Sequence, residues 1–155
     1  MKLRIVALGD KLPAWVGAAY DDYARRLPRE FTLELVEIKP AARNQGKSVT
    51  QLLAAEGARI AAATGGYHVV ALDERGAAWT TARFAAQLRR WRDEAFSVAF
   101  VIGSADGLSS ANKRGAAAVV ALSALTLPHG LARVVLTEQL YRAVSLLQGH
   151  PYHRE

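Results

Sequence analysis

Five apolar, β-rich runs recur along the chain: LRIVAL (3–8), FTLELVEI (31–38), YHVVALD (67–73), FSVAFVIG (96–103) and AVVALS (118–123). The segments between them carry helical period instead. Trp15, Ala18, Ala19 and Tyr23 share one face of the first segment; Leu52, Leu53, Glu56 and Ile60 mark the second, and Phe84, Leu88 and Trp91 the third. Alternation of this kind predicts an α/β fold, a mostly parallel sheet with helices on both faces. The runs at 67–73 and 96–103 are nearly continuous in apolar residues, as strands covered on both faces are. Pro13 sits near the start of the first helix, where a missing N–H does no harm. Ser48 follows the polar loop KPAARNQGKS (39–48) as a plausible N-cap, and Gly65-Gly66 ends the second helix. With no repeat, linker or low-complexity tract, residues 1–155 read as one domain.

The last helical segment, GLARVVLTEQLYRAVSLLQG (130–149), differs from the others. Its apolar residues occupy most of the circumference, and a helix apolar on more than one stripe is buried on more than one side. Either it is central in the monomer, or it packs against both the sheet and a second subunit; the reading favours a homodimer.

Composition narrows the class. The absence of cysteine excludes disulfides and thiolate metal sites and fits a reducing compartment. The apolar run before Gly9 and Asp10 is too short for a signal-peptide core, and no segment approaches 18 uncharged apolar residues. A cytoplasmic chain without membrane attachment is expected. Twenty Lys and Arg, most of them Arg, face 14 Asp and Glu, a net charge of +6. Guanidinium groups fork onto phosphates, which suggests a polyanion such as RNA. The same excess also arises in an Ala- and Arg-rich chain that needs only to stay soluble, and charge alone leaves the two readings even.

In open α/β sheets, ligands bind beyond the carboxyl ends of the strands. Three such ends are notable: ALDERG (71–76), IGSADGLS (102–109) and SALTLPHG (123–130). The second has no GK[ST], no third glycine at dinucleotide spacing, and no serine centred between glycines. It is a tight turn that lets backbone approach a ligand, or simply a turn. The third is an uncharged apolar run through Pro128, unusual for a surface loop. Backbone amides set in an apolar wall would suit a flat ligand, and an ordinary buried connection is the alternative.

The chain closes on QGHPYHRE (148–155). Ordering each residue of a tail costs roughly 1–2 kcal/mol of backbone entropy, so an ordered tail needs contacts that offset it. His150 and His153 lack a carboxylate pair or cysteine nearby, and metal binding is not expected. Tyr152, His153 and Arg154 suit RNA better, as a stacking ring, a polar ring and a phosphate fork.

Taken together, KLRIVALGDKLPAWV, YARRLP, ELVEI, LSALTLPHGLARVVLTEQLYRA and HPYHRE run the length of the chain. In them the sequence resembles the SPOUT-class bacterial methyltransferases that modify N3 of a pseudouridine in helix 69 of 23S ribosomal RNA. The resemblance implies a C-terminal trefoil knot (the α/β-knot), an obligate homodimer, S-adenosylmethionine as cofactor, and the 70S ribosome as partner. Carried over by position, it assigns the cofactor to Leu72, Gly103, Ser104, Ser123, Ala124, Leu125, Thr126, Leu127 and Pro128. It implies that Tyr152, His153 and Arg154 reach the active site at the dimer interface, with His129 and Arg142 on the substrate side. His153 is a candidate acceptor for the N3 proton, although it could equally hold a phosphate or stack. No metal is required.

One position departs from the family pattern. The turn reads GSADG, with Ser104 at the second of two glycines. Where that position needs a positive φ, serine costs about 1–3 kcal/mol; where φ is ordinary, serine is harmless and adds a hydroxyl. A non-catalytic RNA-binding protein of the same fold is the alternative function, and it predicts salt-sensitive RNA binding without cofactor binding.

Overall fold

The computed structural model describes residues 1–153, the side chain of His153 excepted. Its elements run β1 (Lys2–Leu8), α1 (Ala14–Arg25), β2 (Thr32–Ile38), α2 (Val49–Thr64), β3 (His68–Ala78), α3 (Thr81–Asp93), β4 (Val98–Ile102), α4 (Ser110–Gly115), β5 (Ala118–Ala121) and α5 (His129–Leu147). A 3₁₀ turn, Pro151–His153, follows. The five strands form one sheet in the order β2-β1-β4-β3-β5, and every neighbouring pair is parallel.

The burial of each strand follows its place. Central β4, VAFVI, is buried at every residue, whereas edge strand β2 only half hides its side chains. Helices cover both faces, as the alternation predicts. On one face Leu3, Ile5, Val70, Val98 and Phe100 pack with Tyr20 of α1, Phe84, Leu88 and Trp91 of α3, and Leu136 and Leu140 of α5. On the other, Val6, Leu8, Ala71 and Val101 meet Ile60 of α2 and Leu108. Ser48 caps α2: its side chain accepts from the Gln51 amide, and the Gln51 side chain accepts from the Ser48 amide in return.

α5 lies between α1 and α3 with the sheet behind it, which accounts within one chain for its broad apolar circumference. Three features differ from expectation. In α1 it is Val16 and Tyr20 that turn inward, while Trp15 is 53% exposed. Two apolar stripes compete on that helix, and period alone does not say which one faces the sheet. α4 was not anticipated, because SANKRG has no apolar period and buries none of its residues. β3 also continues past Asp73. Residues 73–76 bulge from the ladder, and Ala77 and Ala78 rejoin β5 at Val120 and Ala121. Gly76 permits this approach, since a Cβ there would lie 2.7 Å from the Val120 backbone.

Candidate active site

Because all strands are parallel, their carboxyl ends open on one side, and four of them surround a cleft of about 820 Å³. β1 contributes Leu8, Gly9 and Asp10; β3 contributes Leu72 and the bulge residues Asp73, Glu74 and Arg75. The chain after β4 supplies Ile102 to Gly107, and the chain after β5 supplies Leu122, Ser123 and Leu125 to Pro128. The turn 103–107, with Gly103 and Ser104, and the loop 122–128, with Ser123 and Leu125 to Pro128, thus face one cavity. Of the residues assigned to the cofactor, Leu72, Gly103, Ser104, Ser123, Leu125, Thr126, Leu127 and Pro128 line it, and Ala124 does not.

Local bonds fix these walls. The turn 103–107 is closed by the Gly107 amide donating to the Ser104 carbonyl at 2.8 Å. Gly103 lies so close that a Cβ on it would meet the Gly107 carbonyl oxygen at 2.5 Å, and Gly107 itself has φ +78°. Ser104 is not among the residues with positive φ, so its side chain brings no backbone strain. In the opposite loop the Ser123 hydroxyl accepts from the Leu125 amide at 2.9 Å, and the Thr126 hydroxyl donates to Glu74 at 2.8 Å, tying the loop to the β3 bulge. Asp73 accepts from the Arg75 amide and pairs with Lys113 at 3.2 Å. Burial pushes its carboxyl up, but the Arg75 amide and the Lys113 ammonium outweigh it and hold Asp73 below its usual range.

His129, at the first turn of α5, also borders the cleft, but both ring nitrogens are occupied. Nδ1 lies 3.0 Å from the Gly103 carbonyl, which only accepts, so Nδ1 carries the proton. Nε2 then accepts from Arg133 Nη2 at 3.4 Å. Burial lowers the imidazole pKa below its ordinary value, the Gly103 hydrogen bond opposes this, and the Arg133 charge adds to it. With both nitrogens engaged, the ring clamps Gly103 and has no nitrogen free for a further partner. Arg133 is only 3% exposed; it reaches Glu37 at 3.1 Å, and its Nε has no partner among the described residues.

Tyr152 and Arg142 lie elsewhere. Both engage Glu138: Arg142 Nε donates to it at 2.8 Å and the Tyr152 hydroxyl at 3.2 Å. The Tyr152 ring packs on Tyr141 with centroids 4.5 Å apart. Burial, with hydrogen bonds to Tyr23 and Glu138, pushes the phenol up to about 12. Glu138 stands nine residues along α5 from His129, a rise of about 14 Å. Within one chain, then, this part of the tail is not gathered with the cleft. Arg154 and the side chain of His153 lie outside the described residues.

Sequence reasoning passed over Gly9 and Asp10 at the end of β1, and Pro40 and Asp106. The strand order supplies the missing signal for the first two, since β1 neighbours β4 at the centre of the sheet. Among the described residues no group of three or more His, Cys, Asp or Glu is placed to hold a metal ion, and no helix is long and apolar enough to cross a membrane.

The cleft's size, its Leu72, Ile102, Leu122 and Leu127 walls and the polar groups beside them, among them Ser104, Ser123 and Thr126, fit a small organic ligand with both apolar and polar parts. Comparison with known proteins points the same way. The family model described as "Predicted SPOUT methyltransferase" matches residues 1–153. The chain is 54% identical to the Ribosomal RNA large subunit methyltransferase H of Nitrosospira multiformis, over 99% of each chain. It is 51% identical to the protein of the same name in Burkholderia mallei, again over 99% of each. A crystal structure named "Probable Methyltransferase" from Bordetella pertussis Tohama I shares the fold, with TM-score 0.61 at 20% identity, covering 92% of this chain and 95% of that one. The chain belongs to the SPOUT methyltransferase family.

Proposed function

We propose that this chain is a ribosomal RNA large subunit methyltransferase that uses S-adenosylmethionine, acts as a homodimer, and methylates N3 of a pseudouridine in helix 69 of 23S rRNA within the assembled 70S ribosome. The observation that carries the reading is the convergence of the 103–107 turn and the 122–128 loop on one cleft, in a chain 54% identical end to end to a protein of that name.

The residues fit the cofactor. Leu72, Ile102, Leu122 and Leu127 give apolar walls, and Ser123 and Leu125 to Pro128, with Gly103 and Ser104, bring polar backbone beside them. When bound, S-adenosylmethionine supplies a methyl group already activated on a sulfonium. The protein's task is then to exclude water and to hold the nucleotide N3 in line with that methyl group. As the N–CH3 bond would form and the S–CH3 bond break, leaving the cofactor as a thioether, N3 would lose its proton. His129 is a poor acceptor, because its Nε2 faces a guanidinium, and Tyr152 stays protonated near neutrality. His153 is assigned the proton, with Arg154 on a phosphate and Tyr152 against the base.

Because Tyr152 sits at Glu138, about 9 Å along α5 from Ala132, where that helix last lines the cleft, the reading has each site completed by the tail of a second copy. Trp15 at 53% and Leu131 at 38% exposure supply apolar surface on α1 and α5 for that pairing. The +6 charge favours encounter with RNA.

The test is a methyl-transfer assay on 70S ribosomes lacking the modification, beside protein-free 23S rRNA, with the modified nucleotide located by mass spectrometry. The expected result is one methyl group per ribosome at the helix 69 pseudouridine and none on free RNA. Transfer to free RNA alone would overturn the ribosome requirement. RNA binding with neither cofactor binding nor transfer would favour the non-catalytic RNA-binding protein. A His153→Ala protein with an undiminished single-turnover rate would remove the assigned proton acceptor.

A further inference from the structure

Glu56 lies in the middle of α2 with 1% of its surface exposed, where an unpaired carboxylate is costly. Four groups converge on it. Arg43 Nη1 and Nη2 lie at 3.2 and 3.1 Å, the Ser104 hydroxyl donates at 2.8 Å, and the Ala41 amide stands at 3.4 Å. We infer that Arg43 and Glu56, which stand behind the cleft, are positioning residues that hold the 103–107 turn in its cofactor-binding geometry, a step that rests on the methyltransferase reading above.

The Arg43 donors make the case. Its Nε donates to Asp106 at 3.1 Å. Nη1 reaches the Ala41 carbonyl at 2.7 Å as well as Glu56, and Nη2 reaches Ser104 Oγ at 2.8 Å and Asp106 at 2.9 Å. A guanidinium has five N–H groups in a fixed fork, and here all five have acceptors. Exposed arginine beside a cleft in an RNA-modifying protein invites a phosphate-binding role, but Arg43 has no donor to spare for one.

The bonds instead bridge distant parts of the chain. Arg43 belongs to the loop between β2 and α2, Glu56 to α2, and Ser104 and Asp106 to the turn after β4. That turn lines the cleft, and so does Pro40 from the same loop, whereas Arg43 and Glu56 do not. On its other side the turn is held by His129 through the Gly103 carbonyl. The turn is thus gripped from two faces, by α5 and by the Arg43–Glu56 pair, with the Ser104 hydroxyl as the link that a glycine would lack. Lysine at position 43 would keep the charge but present three donors from one atom, and it could not span Ala41, Glu56, Ser104 and Asp106 together.

The test is calorimetric titration with S-adenosylmethionine of the parent, Arg43→Lys, Ser104→Ala and the double variant, with thermal melts of each. If the pair positions the turn, Arg43→Lys raises Kd about tenfold or more and Ser104→Ala several-fold. The double variant then binds no more weakly than Arg43→Lys alone, because both changes break one latch. Melting temperatures should not track these losses across the set, as they would if the network served stability alone. Folded single variants that bind like the parent would overturn the inference and leave the cofactor reading intact. Failure of the parent itself to bind would overturn both. Should Arg43→Lys not fold, Ser104→Ala decides alone, since it deletes one partly buried hydroxyl and no charge.

Discussion

Replacing Gly103 by alanine would place a methyl carbon 2.5 Å from the Gly107 carbonyl oxygen, 2.6 Å from its carbonyl carbon and 3.1 Å from its Cα. Ordinary contact begins at 3.4 Å, so the two sides of the turn must part by roughly 1 Å. Neither side can move freely. His129 holds the Gly103 carbonyl, Arg43 holds Ser104 and Asp106, and the Gly107 amide bonds back to Ser104. Overpacking of this kind costs about 1–3 kcal/mol, which lowers Tm by about 3–10 °C in a chain of this length. A displacement of about 1 Å at a reacting centre costs on the order of 100-fold in rate. Differential scanning calorimetry and single-turnover methyl transfer read the two effects. Gly107→Ala is the control, because its φ of +78° strains a side chain while nothing lies within 4 Å of the added Cβ. That variant should lose about 1–2 kcal/mol of stability but much less of the methyl-transfer rate. A Gly103→Ala protein within 1 °C and twofold of the parent, by the same measures, would refute the steric reasoning.

Burial keeps the native His129 pKa below its ordinary 6.5. The unfolded chain therefore takes up that proton first as pH falls, and the stability this residue contributes is complete above 6.5 and lost as pH drops through the native pKa. Melting temperatures between about pH 5 and 7.5 should fall on acidification, and His129→Gln should flatten part of that slope; superimposable profiles would contradict the assignment. If the proposed homodimer pairs through α1 and α5, Trp15→Asp should shift sedimentation toward monomer and abolish methyl transfer while leaving cofactor binding in place, and a dimer that persists would move the proposed interface elsewhere. Ser48→Ala removes one half of the capping box and should cost about 1 kcal/mol in urea titrations. Leu140→Ala empties a fully buried position between α5 and the sheet and should cost about 3–5 kcal/mol by the same method.

Much of the fold is legible in the pattern of apolar runs, because a parallel sheet covered on both faces writes itself as near-continuous Val, Ile, Ala and Phe. β4 and the inward stripes of α2 and α3 were readable for that reason. The orientation of α1 was not, since Trp15, Ala18 and Ala19 are as apolar as Val16 and Tyr20, and only the position of α5 decides between them. Residues 71–76 look like a strand end in the sequence; the pairing that resumes beyond them needs Val120 and Ala121, more than 40 residues away. The loops read as cofactor-binding stand out by their strand ends and by resemblance, and they line one cleft. Arg43 and Glu56 were hidden for a different reason. A glutamate on an apolar helix stripe and an arginine in a polar loop carry no mutual signal until folding brings them to one serine.

The placement of α5 also bears on how the protein is made. This helix follows every strand of the sheet and the helices α1 to α4 in the chain, yet Leu136, Leu140, Ala143 and Val144 fill the space between α1, α3 and the sheet. Until Leu147 has been translated, the nascent chain carries an uncovered apolar sheet face that earlier residues cannot close, and such surfaces invite association with other chains. A frameshift or early stop within 129–147 therefore yields not a shortened enzyme but a chain without a finished core.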